Sequence, residues 1–250
     1  MIKPFFLALF IYLSAVSAHA QLAVDRIVIH AGLHIGGVAP ASIPQEIRSI
    51  DSYRPITPII LGVEVPFYRI NDRWSLSSGL NLVNKGMKSS AFAENFRAMI
   101  DLEGTPYRNM IGYFTGSVNS SFNNFYLELP LSAHFELSPH WSLQGGIMID
   151  QALVRSFEGG VSNAYIRIGE PTAPKIEIPS ASFNISRVVR KTDVGLCLGV
   201  AYKLDQVWQI RGVFNYGLAN VIDAPSENIP VKLHNTFLTL SAGYILPFSR

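Results

Sequence analysis

Ten ionisable side chains could do chemistry if a fold gathered them: His30, His34, Glu64, Glu128, His134, Glu136, Asp150, Asp193, Lys203 and Arg211. His30 and His34 fall on one face of a single segment, and Glu64 is a candidate cross-strand neighbour. Two imidazoles and a carboxylate are donors that a metal accepts. Such residues are more often satisfied polar groups on the wet face of a strand, and no metal or cofactor is expected. If Pro139 centres a hairpin, Glu128 lies beside Asp150 and His134 beside Gln144. Two adjacent carboxylates can form an acid–base pair. Buried charges, however, need partners, so pairing with Arg211, Lys203 or Arg26 is the expected role. Cys197 sits among glycines and reads as a small inert residue. The chain has no Gly-x-Ser-x-Gly elbow and no Cys/His cluster with zinc spacing. Four histidines fall in the middle and lower parts of the strands, away from a rim where a membrane-embedded enzyme would act. No catalysis is expected.

Those residues are placed by strict alternation. From Phe125 to Leu137, Phe125, Leu127, Leu129, Leu131, Ala133, Phe135 and Leu137 share one face, while Tyr126, Glu128, Pro130, Ser132, His134 and Glu136 share the other. A side-chain period of two is that of a strand. The same pattern recurs in Ile27–Ile35, Ile59–Phe67, Trp74–Leu82, Trp141–Ile149, Val194–Leu204, Trp208–Leu218 and Thr236–Phe248. None of these apolar faces holds Asp, Glu, Lys, Arg or His, whereas the opposite faces hold the charges with many Gly, Ser and Ala residues. Tight turns are expected at 69–72, 138–140 and 205–207, and long connections at 37–58, 86–123, 156–191 and 219–234. Short turns at one end and long loops at the other match an outer-membrane barrel. The expected fold is all-β: an eight-stranded antiparallel up-and-down transmembrane β-barrel, with short periplasmic turns and long extracellular loops.

Residues 1–20 read as a secretory signal peptide, with Lys3, an apolar run from Phe5 to Val16, and Ala18-His19-Ala20 as the cleavage site. The barrel domain is then 21–250, exported to the outer membrane. Mean hydropathy is +0.24 with only 15% charged residues, which a barrel accommodates by hiding apolar residues at alternate positions. The net charge of +2 points to no nucleic-acid partner.

A soluble carrier barrel would also alternate, with its apolar face inward. Trp74, Trp141 and Trp208 each begin a strand just after a short turn, and Phe67, Phe135 and Phe248 lie near the same level. Six large rings at one height do not fit inside an eight-stranded lumen. Outside, they form an aromatic girdle at a membrane interface. The apolar face is therefore read as facing lipid.

The Tyr126-Leu127-Glu128-Leu129-Pro130-Leu131 segment, the glycine-spaced Gly195–Tyr202 strand, Tyr216-Gly217-Leu218 and Gly243-Tyr244 together resemble the small outer-membrane β-barrel domains described as PorT-like or porin-family. The resemblance implies fold and location and little about activity. The last strand, apolar at alternate positions up to Phe248, is similar to the carboxy-terminal signal read by the barrel-insertion machinery. The expected partners are the lipid bilayer, that machinery, and an extracellular protein or glycan met by the loops. The chain is expected to be a monomer with a side-chain-filled lumen, acting in binding, adhesion or envelope integrity. The alternatives are a small-solute pore, a membrane-embedded enzyme and a soluble lipocalin-like carrier.

Within the long loops, Phe92, Phe96, Met99 and Ile100 suit either an amphipathic helix over 90–100 or an extension of the hairpin. Pro171, Pro174 and Pro179 oppose regular pairing between Gly169 and Pro179. Tyr107, Tyr113, Phe114, Phe122 and Tyr165 could stack together or meet a partner.

Overall fold

A computed structural model describes residues 26–40, 43–100, 110–223 and 232–247. The signal segment 1–20 and Phe248 lie outside the described residues, as does Tyr107.

The strands are β1 (Arg26–Pro40), β2 (Ile47–Pro55), β3 (Ile59–Arg69), β4 (Trp74–Ile100), β5 (Met110–Glu136), β6 (Trp141–Val154), β7 (Phe157–Ile168), β8 (Ile176–Asn184), β9 (Thr192–Lys203), β10 (Trp208–Gly217) and β11 (Leu233–Pro247). All eleven belong to one antiparallel sheet. Eight of them close a ring in the order β1-β3-β4-β5-β6-β9-β10-β11, and β11 pairs with β1 along its whole length, from Arg26↔Pro247 to Pro40↔Leu233. The described residues therefore form three more strands than the eight expected. The extra ones, β2, β7 and β8, lie in segments read from sequence as loops.

The reason is visible in β4 and β5, each 27 residues long. β3 leaves β4 at Val83, and β6 leaves β5 at Phe125. Beyond those points the β4–β5 hairpin continues alone out of the ring. β2 joins its β4 side along Met87–Ala93, and β7 joins its β5 side along Gly112–Phe122. With β8 on the far edge, the order of this extension sheet is β2-β4-β5-β7-β8. Residues 90–100 are strand, so the hairpin alternative holds and the helix does not. Asn95 takes a left-handed φ of 54° where the β4–β5 register shifts between Ala93 and Phe96, an extra residue on β4 that bends the strand there. β8 begins at Ile176, inside the proline-containing stretch, and leaves Pro171 and Pro174 in the preceding turn.

In the ring, each expected phase is seen. Ile29, Leu33, Leu61, Leu80, Leu143, Ile147, Leu196, Leu198, Ile210, Phe214, Leu238 and Leu240 are exposed on the outer wall, and their sequence neighbours turn inward. Small residues let the wall close over a crowded interior. A Cβ on Gly62 would stand 2.0 Å from Asn81 Oδ1 and 2.7 Å from His30 Nε2.

The short connections 70–73, 137–140 and 204–207 share one design. Asn71 Oδ1 accepts from the N–H groups of Arg73 and Trp74, both at 2.9 Å. Ser138 Oγ accepts from His140 and Trp141 at 3.3 and 3.1 Å. Asp205 Oδ1 accepts from Val207 and Trp208 at 2.8 and 2.6 Å. In each, an apolar residue precedes the polar one and donates its N–H to the tryptophan carbonyl at 2.9 Å. The repeat is thus apolar–(Asn, Ser or Asp)–x–x–Trp, a side-chain-closed turn that launches each returning strand with its indole outward.

Candidate functional site

The lumen network fills the ring in layers. Nearest the short turns, Lys203 Nζ lies 3.2 Å from both carboxylate oxygens of Glu136, and Arg26 lies 3.9 Å from the same group. Above it, Glu64 binds Arg211 at 2.8 Å and His134 at 3.1 Å. His134 also meets Ser77 Oγ at 2.7 Å, and Arg211 donates to Gln144 at 3.2 Å. Higher still, Lys85 Nζ lies 2.5 Å from Asp150 and 3.9 Å from Glu128, which accepts from Asn81 at 2.8 Å. Asp193 accepts from Asn235 at 2.8 Å and from the Ala219 N–H at 3.1 Å.

The hairpin register puts Glu128 opposite Asp150 and His134 opposite Gln144, as the Pro139-centred turn requires. The partner that neutralises the carboxylate pair is different from those expected. Arg211 goes to Glu64, and Lys203 and Arg26 go to Glu136, while Glu128 and Asp150 share Lys85. The expected strand stopped at Leu82, three residues short. The inward parity of Ser75, Ser77, Asn81 and Val83 already pointed to residue 85. Glu64, Glu128, Asp150, Lys85 and Arg211 each have an opposite charge within 3.9 Å, which offsets much of the cost of burying them.

The two histidines of β1 do not converge. His34 Nδ1 lies 2.8 Å from Thr239 Oγ1 and its ring stacks on Phe237 at 4.6 Å. His30 faces Gly62 across the β1–β3 pair, while Glu64 lies opposite Val28. Cys197 is buried, with its sulfur 3.6 Å from Ser132 Oγ.

Among the described residues, the lumen holds small cavities of about 30 and 20 Å³. Each is the size of a single water. Glu64, Gln144 and Arg211 line both, so their ion-pair layer is the partition between them. Over the Lys85 layer lies an apolar cap of Val38, Met87, Phe122, Phe157, Val189, Val221 and Ile222, with the rings of Phe122 and Phe157 stacked at 3.8 Å.

At the other end, the aromatic residues pair across strands. Trp74 meets Phe135 at 4.8 Å, Trp141 meets Tyr202 at 4.7 Å and Trp208 meets Tyr244 at 5.1 Å. Each pair is directly opposite in register, and the three tryptophans are exposed. Phe67 lies beside the β3 register shift, at intermediate exposure. Tyr202 and Tyr244 belong to this level as well. Their place depends on register, which strand-by-strand reading does not supply.

The extension sheet has two unlike faces. Phe114, Ala164 and Ile166 pack with Ala93, Phe96, Ile176 and Ile178. On the opposite side, Arg97, Tyr113 and Arg167 are cross-strand neighbours in one row. Tyr165 is opposite Glu177 in the next. Tyr165 carries Lys175 Nζ at 4.2 Å from its ring centre and the Arg167 guanidinium at 5.6 Å. The aromatic residues that could stack together or meet a partner are divided: Phe114 and Phe122 pack inward, in separate clusters, whereas Tyr113 and Tyr165 share the wet face.

Among solved structures, the chain is similar to Ail, the attachment invasion locus protein of Yersinia pestis, in complex with the heparin analogue sucrose octasulfate. The identity is 14%, covering 88% of this chain and 97% of that one, with a TM-score of 0.36. It is also similar to the CymD monoaromatic hydrocarbon channel, at 12% identity over 90% of this chain and 68% of that one, TM-score 0.25. The toluene transporter TbuX of Ralstonia pickettii gives 11% identity over 94% of each chain, TM-score 0.20. Likenesses this distant carry no function across. No curated protein matches the sequence. The sequence profile of the outer membrane protein beta-barrel domain matches residues 20–223, and the chain belongs to that family.

Proposed function

We propose that this outer-membrane protein is a sealed barrel that anchors a binding sheet outside the cell. It acts as an interaction or adhesion protein, with neither pore nor enzyme activity. One observation carries the reading: the β4–β5 hairpin outruns the ring and recruits β2, β7 and β8, while the lumen beneath is closed by ion pairs and an apolar cap. A pore would need a continuous path, and cavities of about 30 and 20 Å³ support the opposite. In this reading the short turns are periplasmic and the extension is extracellular. The Trp74–Phe135, Trp141–Tyr202 and Trp208–Tyr244 pairs form a girdle at the inner interface, where amphipathic rings are stable. Lipid covers the outer wall, β11 presents the chain to the insertion machinery, and the barrel works as a monomer. The strand motifs around Tyr126–Leu131 and Gly195–Tyr202 support a place among the PorT-like members.

Two measurements test this. Purified protein in planar bilayers is expected to give no stepwise conductance; steady channels would overturn the reading. Protease added to intact cells should cut within 87–122 or 156–191 and spare 138–140. A cut at 138–140 would invert the topology.

A further inference from the structure

We infer that the polar face at the tip of the extension sheet is a binding platform for an acidic glycan, a polysaccharide bearing carboxylate or sulfate groups. The inference rests on the reading of the extension as extracellular.

The argument starts from register. Arg97 on β4, Tyr113 on β5 and Arg167 on β7 lie directly opposite one another, so their side chains leave the same face. Neighbouring strands are about 4.8 Å apart, which places the two arginine backbones about 10 Å apart with a tyrosine midway. That is the span of a disaccharide, and an acidic polysaccharide with one charge per repeat would meet a guanidinium at each end and a ring in the middle. Guanidinium groups fork onto planar carboxylates and sulfates, and a tyrosine ring packs on the apolar face of a sugar.

Tyr165 is a positioning residue. It holds Lys175 and Arg167 against its ring, and Arg167 also donates to the Pro171 carbonyl at 2.6 Å. The cations are thereby fixed before a ligand arrives, which lowers the entropy lost on binding. Among the described residues of these paired rows, Glu177 is the acid, opposite Tyr165, and Glu170 follows in the adjoining turn. Among the described residues neither Arg97 nor Lys175 has a salt-bridge partner, and both are exposed.

Height selects among anions. Arg97 lies fourteen residues beyond Val83, where β4 leaves the ring. At about 3.3 Å per residue this is roughly 45 Å of strand, well clear of the phosphate groups of the protein's own lipid leaflet. A long polymer reaches that height, whereas a headgroup does not.

The test uses the full mature chain in lipid nanodiscs, with polygalacturonate, neutral dextran and polyglutamate as probes. Polygalacturonate is expected to bind, more weakly as salt rises, and dextran is not. Arg97→Gln and Tyr113→Ala should each weaken binding at least tenfold, while Lys88→Gln, on the same strand nearer the ring, changes it less than twofold. The folded state of every variant is checked by its heat-modifiable migration on gels. Absence of polygalacturonate binding, equal binding of polyglutamate, or indifference to Tyr113→Ala would each overturn the inference. The same nanodisc preparation, fused to planar bilayers, keeps the two claims apart. A silent barrel that ignores polygalacturonate refutes the glycan platform alone, whereas a conducting one refutes the sealed-barrel reading.

Discussion

Leu198 in the middle of β9 is 69% exposed, and Ile50 on β2 is 57% exposed. By accessibility alone the two are alike. Their neighbours separate them. Around Leu198, the outward positions Val194, Leu196 and Val200 are apolar too, as are those of the strands on either side, Leu143, Ile147, Ile210 and Phe214. Around Ile50 stand Arg48, Asp51, Tyr53 and Arg54, every one exposed. The wall around Leu198 is uniformly apolar, whereas β2 exposes a mixture of charges and rings. One sheet thus passes from a uniformly apolar outer wall to a mixed, charged surface along its length, and the change comes where β4 and β5 leave the ring.

Lys85 marks that crossing, and its removal is the largest effect expected. It has no exposed side-chain surface and lies against Asp150 and Glu128. Lys85→Met strands two carboxylates in the interior, at a cost of about 3–5 kcal/mol. Lys88, three residues further along the same strand, is exposed, and Lys88→Met should leave stability unchanged. Urea titration of barrels refolded in vesicles reads both. Equal midpoints for the two variants would mean that the ring does not end where the register says it does.

A smaller effect separates the two media directly. Leu198→Arg puts a charge into the wall and should cost about 2–4 kcal/mol near the bilayer midplane. Ile50→Arg makes the same exchange at a similarly exposed site and should be silent. If both variants unfold at the same urea concentration as the parent, the wall at Leu198 is not in lipid.

The strands of the ring were legible because two unlike media press on them. Lipid outside and a packed lumen inside force a period of two, and a one-residue slip would invert every side chain. The same constraint let a turn centred on Pro139 fix Glu128 opposite Asp150. The extension lacks that pressure. Its β5 portion, Thr115–Asn124, is mostly Ser, Asn and Gly, which gives no hydrophobic rhythm, and Phe92, Phe96, Met99 and Ile100 fit a helical spacing as well as a hairpin. Lys85 was missed by the length assigned to one strand. The Arg97–Tyr113–Arg167 row was missed because the three residues come from three strands. Only cross-strand register brings them together, and that register includes the shifts after Ala93 and Thr115.

The smallest effect concerns the turns, where the ring is tied without help from packing. Asp205 Oδ1 accepts two backbone N–H groups, and Asn71 and Ser138 do the same in the sister turns. Asp205→Ala removes both bonds at a solvated site and should cost about 1 kcal/mol. Asp205→Asn keeps the accepting oxygen, as Asn71 does in nature's own copy of the turn, and should cost nothing measurable. The counterpart in the extension is the exposed Arg48–Glu94 pair at 2.8 Å. Arg48→Gln breaks it without moving the urea midpoint, because an exposed ion pair gives back in solvation most of what it gains in contact. Should Arg48→Gln destabilise the chain more than Asp205→Ala does, the extension would be part of the cooperative unit that folds with the ring, and the division between anchoring wall and carried sheet would have to be redrawn.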